Sequence, residues 1–177
     1  MVETIRYRVG QFLRSLTARV PEETVDQAIR ILTPEAQALF RRQAAQDQRH
    51  ALAVYHAVYQ AGHTNQHLLA AALLHDAGKA AARLPAWQRA VIVLLDSLAP
   101  RFVARLSRRD SPQGWRRPFV VHAHHPEIGA RWAEEAGCSP LTIALIRRHQ
   151  RKLAVDSPLV SEEDQLLALL QAADGLD

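Results

Sequence analysis

Apolar residues recur at helical spacing along most of the chain, and short polar breaks separate one repeat from the next. Thr33 and Pro34 predict the N-cap and first residue of a helix that continues to about Gln46. The polar segment RLSRRDSPQGWRRPF predicts a mobile loop. The same signals predict further helices over Asp47–Ala61, Asn65–Leu74, LPAWQRAVIVLLDSLAP, Pro126–Ala136, Pro140 to about Arg148, and Ser161 to about Asp174.

Composition supports a helical fold. The chain has 177 residues, of which 48% are apolar, so it is long enough to bury a substantial core. Alanine, leucine, arginine, glutamine and glutamate dominate, and runs of β-branched and aromatic residues are scarce. We therefore predict an all-α helical bundle, in which residues 1–45 form an N-terminal helical extension packed on a core formed by residues 46–177.

The net charge narrows the classes of function that are expected. The net charge of +4 comes almost wholly from arginine, because the only lysines are Lys79 and Lys152. Such a surface is compatible with an anionic substrate. A dedicated nucleic-acid binder is not expected, because no recognisable binding motif accompanies the arginines. The oligomeric state stays open.

Cys138 is the single cysteine, so an intrachain disulfide is impossible and a reducing compartment is expected. The N-terminus lacks the pattern of a signal peptide, and the longest apolar run, AVIVLL, is too short to span a bilayer. We expect a cytoplasmic protein without a membrane partner.

Three polar residues continue the apolar stripes of three different predicted helices. His50 lies four residues before Val54, His149 follows Leu145 at the same spacing, and Asp174 follows Leu170. A buried carboxylate is costly unless it is paired or binds a metal. Each residue alone is compatible with a hydrogen-bonded core histidine or a helix-end carboxylate beside an arginine. Together with the adjacent pair His75-Asp76, which ends an apolar helix, they predict a metal site.

A second histidine cluster occurs in HAHHPEIGA. His125 immediately precedes Pro126, and Gly129 would let another backbone or a substrate approach closely. His124 is compatible either with a position next to the metal ligands, where it would support them, or with a position on the surface. The remaining histidines are interpreted as surface residues: His56, His63, His67 and His122.

This ordered set resembles the HD-domain superfamily of metal-dependent phosphohydrolases, in its single-domain bacterial form. The matching segments, which span Arg49 to Asp177, are RHALAV, LLHDAGK, HHPEIGA, IRRHQ and LLQAADGLD. The layout is similar to the branch that hydrolyses symmetrical diadenosine tetraphosphate. The cyclic-dinucleotide phosphodiesterase branch fits less well, because HHPEIGARW stands where that branch has a Gly-Tyr-Pro signature.

The resemblance implies residue roles. The basic ligand quartet would be His50, His75, Asp76 and Asp174. In members with two ions Asp76 bridges them, and His125 and His149 would hold the second ion. Gln150 stands where related enzymes have a second histidine, which leaves one or two ions possible.

Mixed imidazole and carboxylate ligands suit a divalent ion such as Mn, Fe, Co, Ni or Zn, with Mg also considered. Asp76 is the expected catalytic residue that orients the attacking water. Lys79 is expected to neutralise a phosphate oxygen, with a solvated helix-end lysine as the alternative.

These features predict an enzyme, a metal-dependent phosphohydrolase that cleaves a phosphoester or phosphoanhydride of a nucleotide or small phosphate ester. The alternative is a catalytically silent HD-like module that binds a nucleotide or regulates a partner.

Overall fold

The computed structural model describes residues 20–82, 88, 91, 92, 94, 95, 98–107, 114–151 and 161–175. These residues form helices and turns and no strand, which confirms the all-α prediction. Eight α-helices have defined bounds: α1 Glu22–Ile29, α2 Pro34–Arg41, α3 Ala45–Gln60, α4 Gln66–Leu74, α5 Pro100–Leu106, α6 Arg117–Glu135, α7 Pro140–Arg148 and α8 Glu162–Asp174. Two 3₁₀ helices cover Ala77–Ala81 and Gly114–Arg116.

Side-chain caps begin several helices where the sequence predicted them. The side chains of Thr33, Ser139 and Ser161 accept hydrogen bonds from the backbone N–H groups three residues later. Asn65 caps α4 in the same way. These caps satisfy amide groups that have no partner inside the helix, so the local sequence fixes where each helix starts.

Two predicted boundaries are wrong. Helix α2 ends at Arg41 rather than near Gln46, because the backbone at Ala44 is extended before α3 begins. The predicted helix start at Pro126 is also wrong, since Pro126 lies inside α6, which begins at Arg117. Proline is typical of the first turn of a helix, and α6 already has Pro118 at its second position. Tertiary packing allows the helix to continue through Pro126.

The predicted mobile loop is partly replaced by helix. Apart from Ser107, which is in a turn, its described residues belong to α5, to the 3₁₀ helix Gly114–Arg116 and to the start of α6. Residues 108–113 lie outside the described residues. In the predicted proline-bounded helix before Pro100, residues 88, 91, 92, 94, 95 and 98 are helical. The other positions of that segment before Ala99 lie outside the described part of the chain. None of the described helices has the length and apolar character needed to cross a membrane.

Helix α4 lies at the centre of the bundle. Its sequence, QHLLAAALL, is apolar on every face, and six of its nine residues are buried. It packs against α2, α3, α7 and α8. Helix α6 packs on α7 and on the 3₁₀ helix that follows α4. Because this apolar helix is surrounded by other helices, the residues that directly follow it lie inside the protein.

Helices α1 and α2 contribute to the same hydrophobic core as the later helices, through Val25, Ile29 and Phe40 among others. The division at residue 45 stays a prediction, and residues 1–19 of the predicted extension lie outside the described residues.

Candidate metal centre

The candidate ligands lie at or near helix ends that meet beside the central helix. His75 and Asp76 directly follow α4, and His149 directly follows α7. Asp174 is the last residue of α8, and His50 lies in the second turn of α3. His125 projects from the middle of α6. All six predicted metal ligands therefore come together, although they are spread over 125 positions of the chain, from residue 50 to residue 174.

The first ligand group combines His50, His75, Asp76 and Asp174. The Nε2 atoms of the two histidines lie 3.2 Å apart. Oδ1 of Asp174 lies 2.8 Å from His50 Nε2 and 3.4 Å from His75 Nε2. Oδ2 of Asp76 lies 4.0 Å and 3.6 Å from the same two nitrogens. We call these four residues the quartet.

The second ligand group uses the other oxygen of Asp76. Oδ1 lies 3.2 Å from Nε2 of His125 and 3.8 Å from Nε2 of His149. We call Asp76, His125 and His149 the triad. One carboxylate thus presents one oxygen to each group, so Asp76 could contribute to an ion site in both.

The ring orientation of three histidines is fixed by backbone carbonyl groups. Nδ1 of His75, His125 and His149 donates to the carbonyl three residues earlier, at 2.8–2.9 Å. The carbonyls that serve His75 and His149 belong to the last turns of α4 and α7, where intrahelical partners run out. The carbonyl of His122, which serves His125, lacks its usual helical partner because Pro126 has no N–H. Each Nε2 is therefore directed into the site.

These donors fit a divalent ion. Nε2 of His125 and of His149 is buried and makes no hydrogen bond. Unsatisfied buried polar atoms are rare in folded proteins and call for an explanation such as a role in binding an ion. Ligand atoms bound about 2.1 Å from one ion lie about 3.0–3.4 Å apart in octahedral or tetrahedral geometry. The separations within the quartet, 2.8–4.0 Å, bracket this range and those within the triad, 3.2 and 3.8 Å, overlap it, so small side-chain movements would complete either shell.

The electrostatics keep the carboxylates charged and His149 neutral. Burial alone would raise the pKa of Asp76, but His75, His125 and Lys79 together hold it well below its usual range. Partial burial also opposes the ionised form of Asp174, yet contacts with His50 and His75 lower its pKa. Burial, assisted by His75, lowers the pKa of His149 from 6.5 to about 4. Metal ligands need these protonation states at neutral pH.

Lys79 lies beside the Asp76 carboxylate. Its Nζ donates to Oδ2 of Asp76 at 2.5 Å, and about a third of its side chain is exposed. The lysine follows Asp76 by one 3₁₀ turn, which brings the two side chains together. This contact places its positive charge at the edge of the site.

A contact between two glycines brings the 3₁₀ helix close to α6. A Cβ atom on Gly78 would lie 2.0 Å from the carbonyl oxygen of His125 and 2.7 Å from the amide of Gly129. Only glycine permits such a backbone approach. The sequence indicated Gly129 for this role, and the structure adds Gly78 as its partner. The close approach sets the distance between Asp76 and His125.

A cavity of about 200 Å³ opens beside the triad. Its wall contains Asp47, which is only 6% exposed and which the sequence analysis missed. The sequence did contain one indication of its position: Asp47 lies three residues before His50, which places the two side chains on neighbouring parts of the same helix face. Among the described residues, the lining consists of Gln46, Asp47, Lys79, Ala82, Ile92, Pro118, Val121, His122, His125 and Gln150.

Other polar residues have structural partners. His122, interpreted from the sequence as a surface residue, is half-buried and lines the cavity. His124 Nε2 lies 3.2 Å from the carbonyl of Ser107, and His67 contacts the Ser139 hydroxyl at 2.8 Å. Gln150 is exposed and lines the cavity, whereas its neighbour His149 is the buried donor.

Several arginines near the candidate site are engaged with other groups. Arg148 pairs with Glu163 and Asp164 in the first turn of α8. Arg116 and Arg117 donate to backbone carbonyls. Arg108 and Arg109 lie outside the described residues.

Comparison with known proteins gives no assignment: no protein-family model, no curated protein and no solved structure matches the chain.

Proposed function

We propose that this protein is a metal-dependent phosphohydrolase of the HD-domain type, acting on a nucleotide or another small phosphate ester. The observation that carries the proposal is the division of the Asp76 carboxylate between two ligand groups. A structural polar cluster has no need for two buried imidazole nitrogens without hydrogen bonds.

The chain's own residues supply binding and orientation. His50, His75 and Asp174 would hold one divalent ion with Asp76, and His125 and His149 would hold a second. Such an ion polarises a phosphoryl oxygen and lowers the pKa of a water that it binds. Asp76, held ionised, accepts hydrogen bonds and orients the attacking water.

Lys79 supports the same chemistry from the substrate side. One of its three N–H donors is used on Asp76, which leaves others for a phosphate oxygen. Its place in the cavity wall brings this positive charge to the point where a phosphate would enter. The substrate charge is therefore balanced by Lys79 as well as by the metal.

The test is a metal count followed by a substrate screen. Protein purified without chelators is analysed for bound metal, then supplied with Mn²⁺ or Fe²⁺ and phosphomonoesters, phosphodiesters and dinucleoside polyphosphates. We expect bound metal and turnover of at least one class. Asp76→Asn should lose both, while Glu35→Gln, which removes an exposed carboxylate on α2, should change neither.

Absence of both metal and turnover would refute the proposal. Tight nucleotide binding without turnover in metal-loaded protein would favour the catalytically silent binding module instead.

A further inference from the structure

A second cavity lies between the end of α2, the 3₁₀ helix that follows α4, and α6. The described part of its wall contains Arg42, Arg117 and Trp132, but neither Lys79 nor any candidate metal ligand. We call it the arginine cavity. We propose that the arginine cavity binds the phosphate group of a small molecule, as a site separate from the metal centre.

The guanidinium of Arg42 is held by stacking. Its central carbon lies 4.3 Å from the ring centre of Trp132, a half-buried residue that packs against the hydrophobic core. The attraction between a cation and an aromatic ring uses the flat face of the guanidinium. The N–H groups of Arg42 lie at the edge of that plane, so stacking leaves them available to donate to an oxygen of a ligand.

Arg117, the first residue of α6, is held by a different contact. Its Nη2 donates to the backbone carbonyl of Ala81 at 2.9 Å, which leaves other N–H groups of the same guanidinium for a ligand. The first turn of α6 contains no acidic residue, so the positive end of the helix dipole adds to the charge of this arginine. Because both arginines are positioned by the protein, a ligand loses less free energy in ordering them.

The charges around the arginine cavity favour an anion. Within the described part of the chain, neither of its guanidiniums contacts a carboxylate, whereas Arg148 pairs with two acidic residues. The described wall contains no Asp or Glu. Residues 83–87 and 108–113, which adjoin Ala82 and Gly114 in the chain, lie outside the described residues. Their sequences, RLPAW and RRDSPQ, contain three arginines and one aspartate, so their composition does not offset the positive charge.

A phosphate group matches this wall in shape and charge. The planar fork of an arginine can donate two parallel hydrogen bonds to phosphate oxygens. A phosphate monoester carries about 1.5 to 2 negative charges at neutral pH, which two guanidiniums balance. The cavity is open to solvent and has a volume of about 570 Å³, within the roughly 300–1,000 Å³ of small-molecule pockets. It therefore has room for a free phosphate compound or for a nucleotide.

The experiment measures binding by calorimetry, using protein stripped of metal with EDTA and then dialysed. Pyrophosphate, inorganic phosphate and AMP are titrated separately. Arg42→Gln and Arg117→Gln each remove one charge from the cavity. Arg131→Gln is the matched control, because Arg131 is an exposed arginine elsewhere on α6. Lys79→Gln removes the lysine of the metal centre, and thermal unfolding checks that each variant is folded.

We expect wild-type protein to bind about one pyrophosphate per chain. Arg42→Gln and Arg117→Gln should each weaken this binding at least about tenfold, because each removes charge-assisted hydrogen bonds. Arg131→Gln and Lys79→Gln should change it less than about twofold at an ionic strength of about 0.15 M, where distant charges are largely screened. If Arg42→Gln does not fold, Arg117→Gln decides alone. Tighter binding of AMP than of inorganic phosphate would identify the ligand as a nucleotide, and comparable or weaker binding would identify it as a free phosphate compound.

Failure of folded wild-type protein to bind pyrophosphate would overturn the proposal. Equal losses in Arg117→Gln and Arg131→Gln would also overturn it, because they would show general attraction to a basic surface. A loss confined to Lys79→Gln would place the anion at the metal centre and overturn it as well. None of these measurements depends on turnover, so their outcome is independent of the proposed hydrolase function.

Discussion

A methyl group at position 78 should separate the two ligand groups of the candidate metal centre. In Gly78→Ala the new Cβ would lie 2.0 Å from the carbonyl oxygen of His125, which is 1.4 Å short of the 3.4 Å at which ordinary contact begins. The neighbouring amide of Gly129 is only 2.7 Å away. Because both obstacles are backbone atoms of α6, the overlap is relieved only if α6 and the 3₁₀ helix move apart.

The size of the effect follows from the ligand distances. Asp76 directly precedes the 3₁₀ helix and lies 3.2 Å from His125 on α6, so separation of these elements opens the triad. Displaced supports of a metal ligand typically cost about 10–100-fold in affinity. The crowding itself should destabilise the fold by about 1–3 kcal/mol. The other quartet residues come from α3, α4 and α8, so the first ion should remain.

The assay is a titration with Mn²⁺ that counts bound ions per chain, together with thermal unfolding of the metal-free protein. Wild type should bind two ions and Gly78→Ala one. Gly129→Ala should show a smaller loss, because its Cβ would lie 3.1 Å from the nearest atom. Gly175→Ala, with its nearest contact at 3.4 Å and a negative φ, should behave like wild type. Two ions bound to Gly78→Ala at wild-type affinity would refute the reasoning.

Three further substitutions test other parts of the site. Pro126→Ala restores a backbone N–H that can donate to the carbonyl of His122, which is the acceptor that orients the His125 ring. Affinity for the second ion should therefore fall in the same Mn²⁺ titration. The folded state depresses the pKa of His149 to about 4, so the unfolded chain takes up the proton first as pH falls. Stability of the metal-free protein should therefore drop by up to about 3 kcal/mol between pH 6.5 and 4, as measured by urea unfolding, and His149→Gln should flatten this slope. Arg148→Gln removes the ion pairs to α8, so it should cost about 0.5–1 kcal/mol in low salt and less in 1 M NaCl.

The sequence alone determined most of the helical elements and selected the candidate ligands. Caps such as Thr33 and Ser161 act on amide groups within one turn, so a local pattern suffices to find them. His149 and Asp174 could be selected because helical periodicity assigns a residue to the inner face without knowledge of what it contacts.

Tertiary structure decided how these ligands are combined. The sequence does not contain the distances that let one oxygen of Asp76 face each ligand group, since these depend on how several helix ends meet. Helix α6 continues through Pro126 because packing and the hydrogen bond from His125 compensate for the lost amide. The need for glycine at position 78 arises only because α6 packs closely against it. Asp47 likewise stands out only because it borders the cavity. Local sequence selects residue types and helix faces, whereas contacts between residues far apart in the chain arise only when the helices pack.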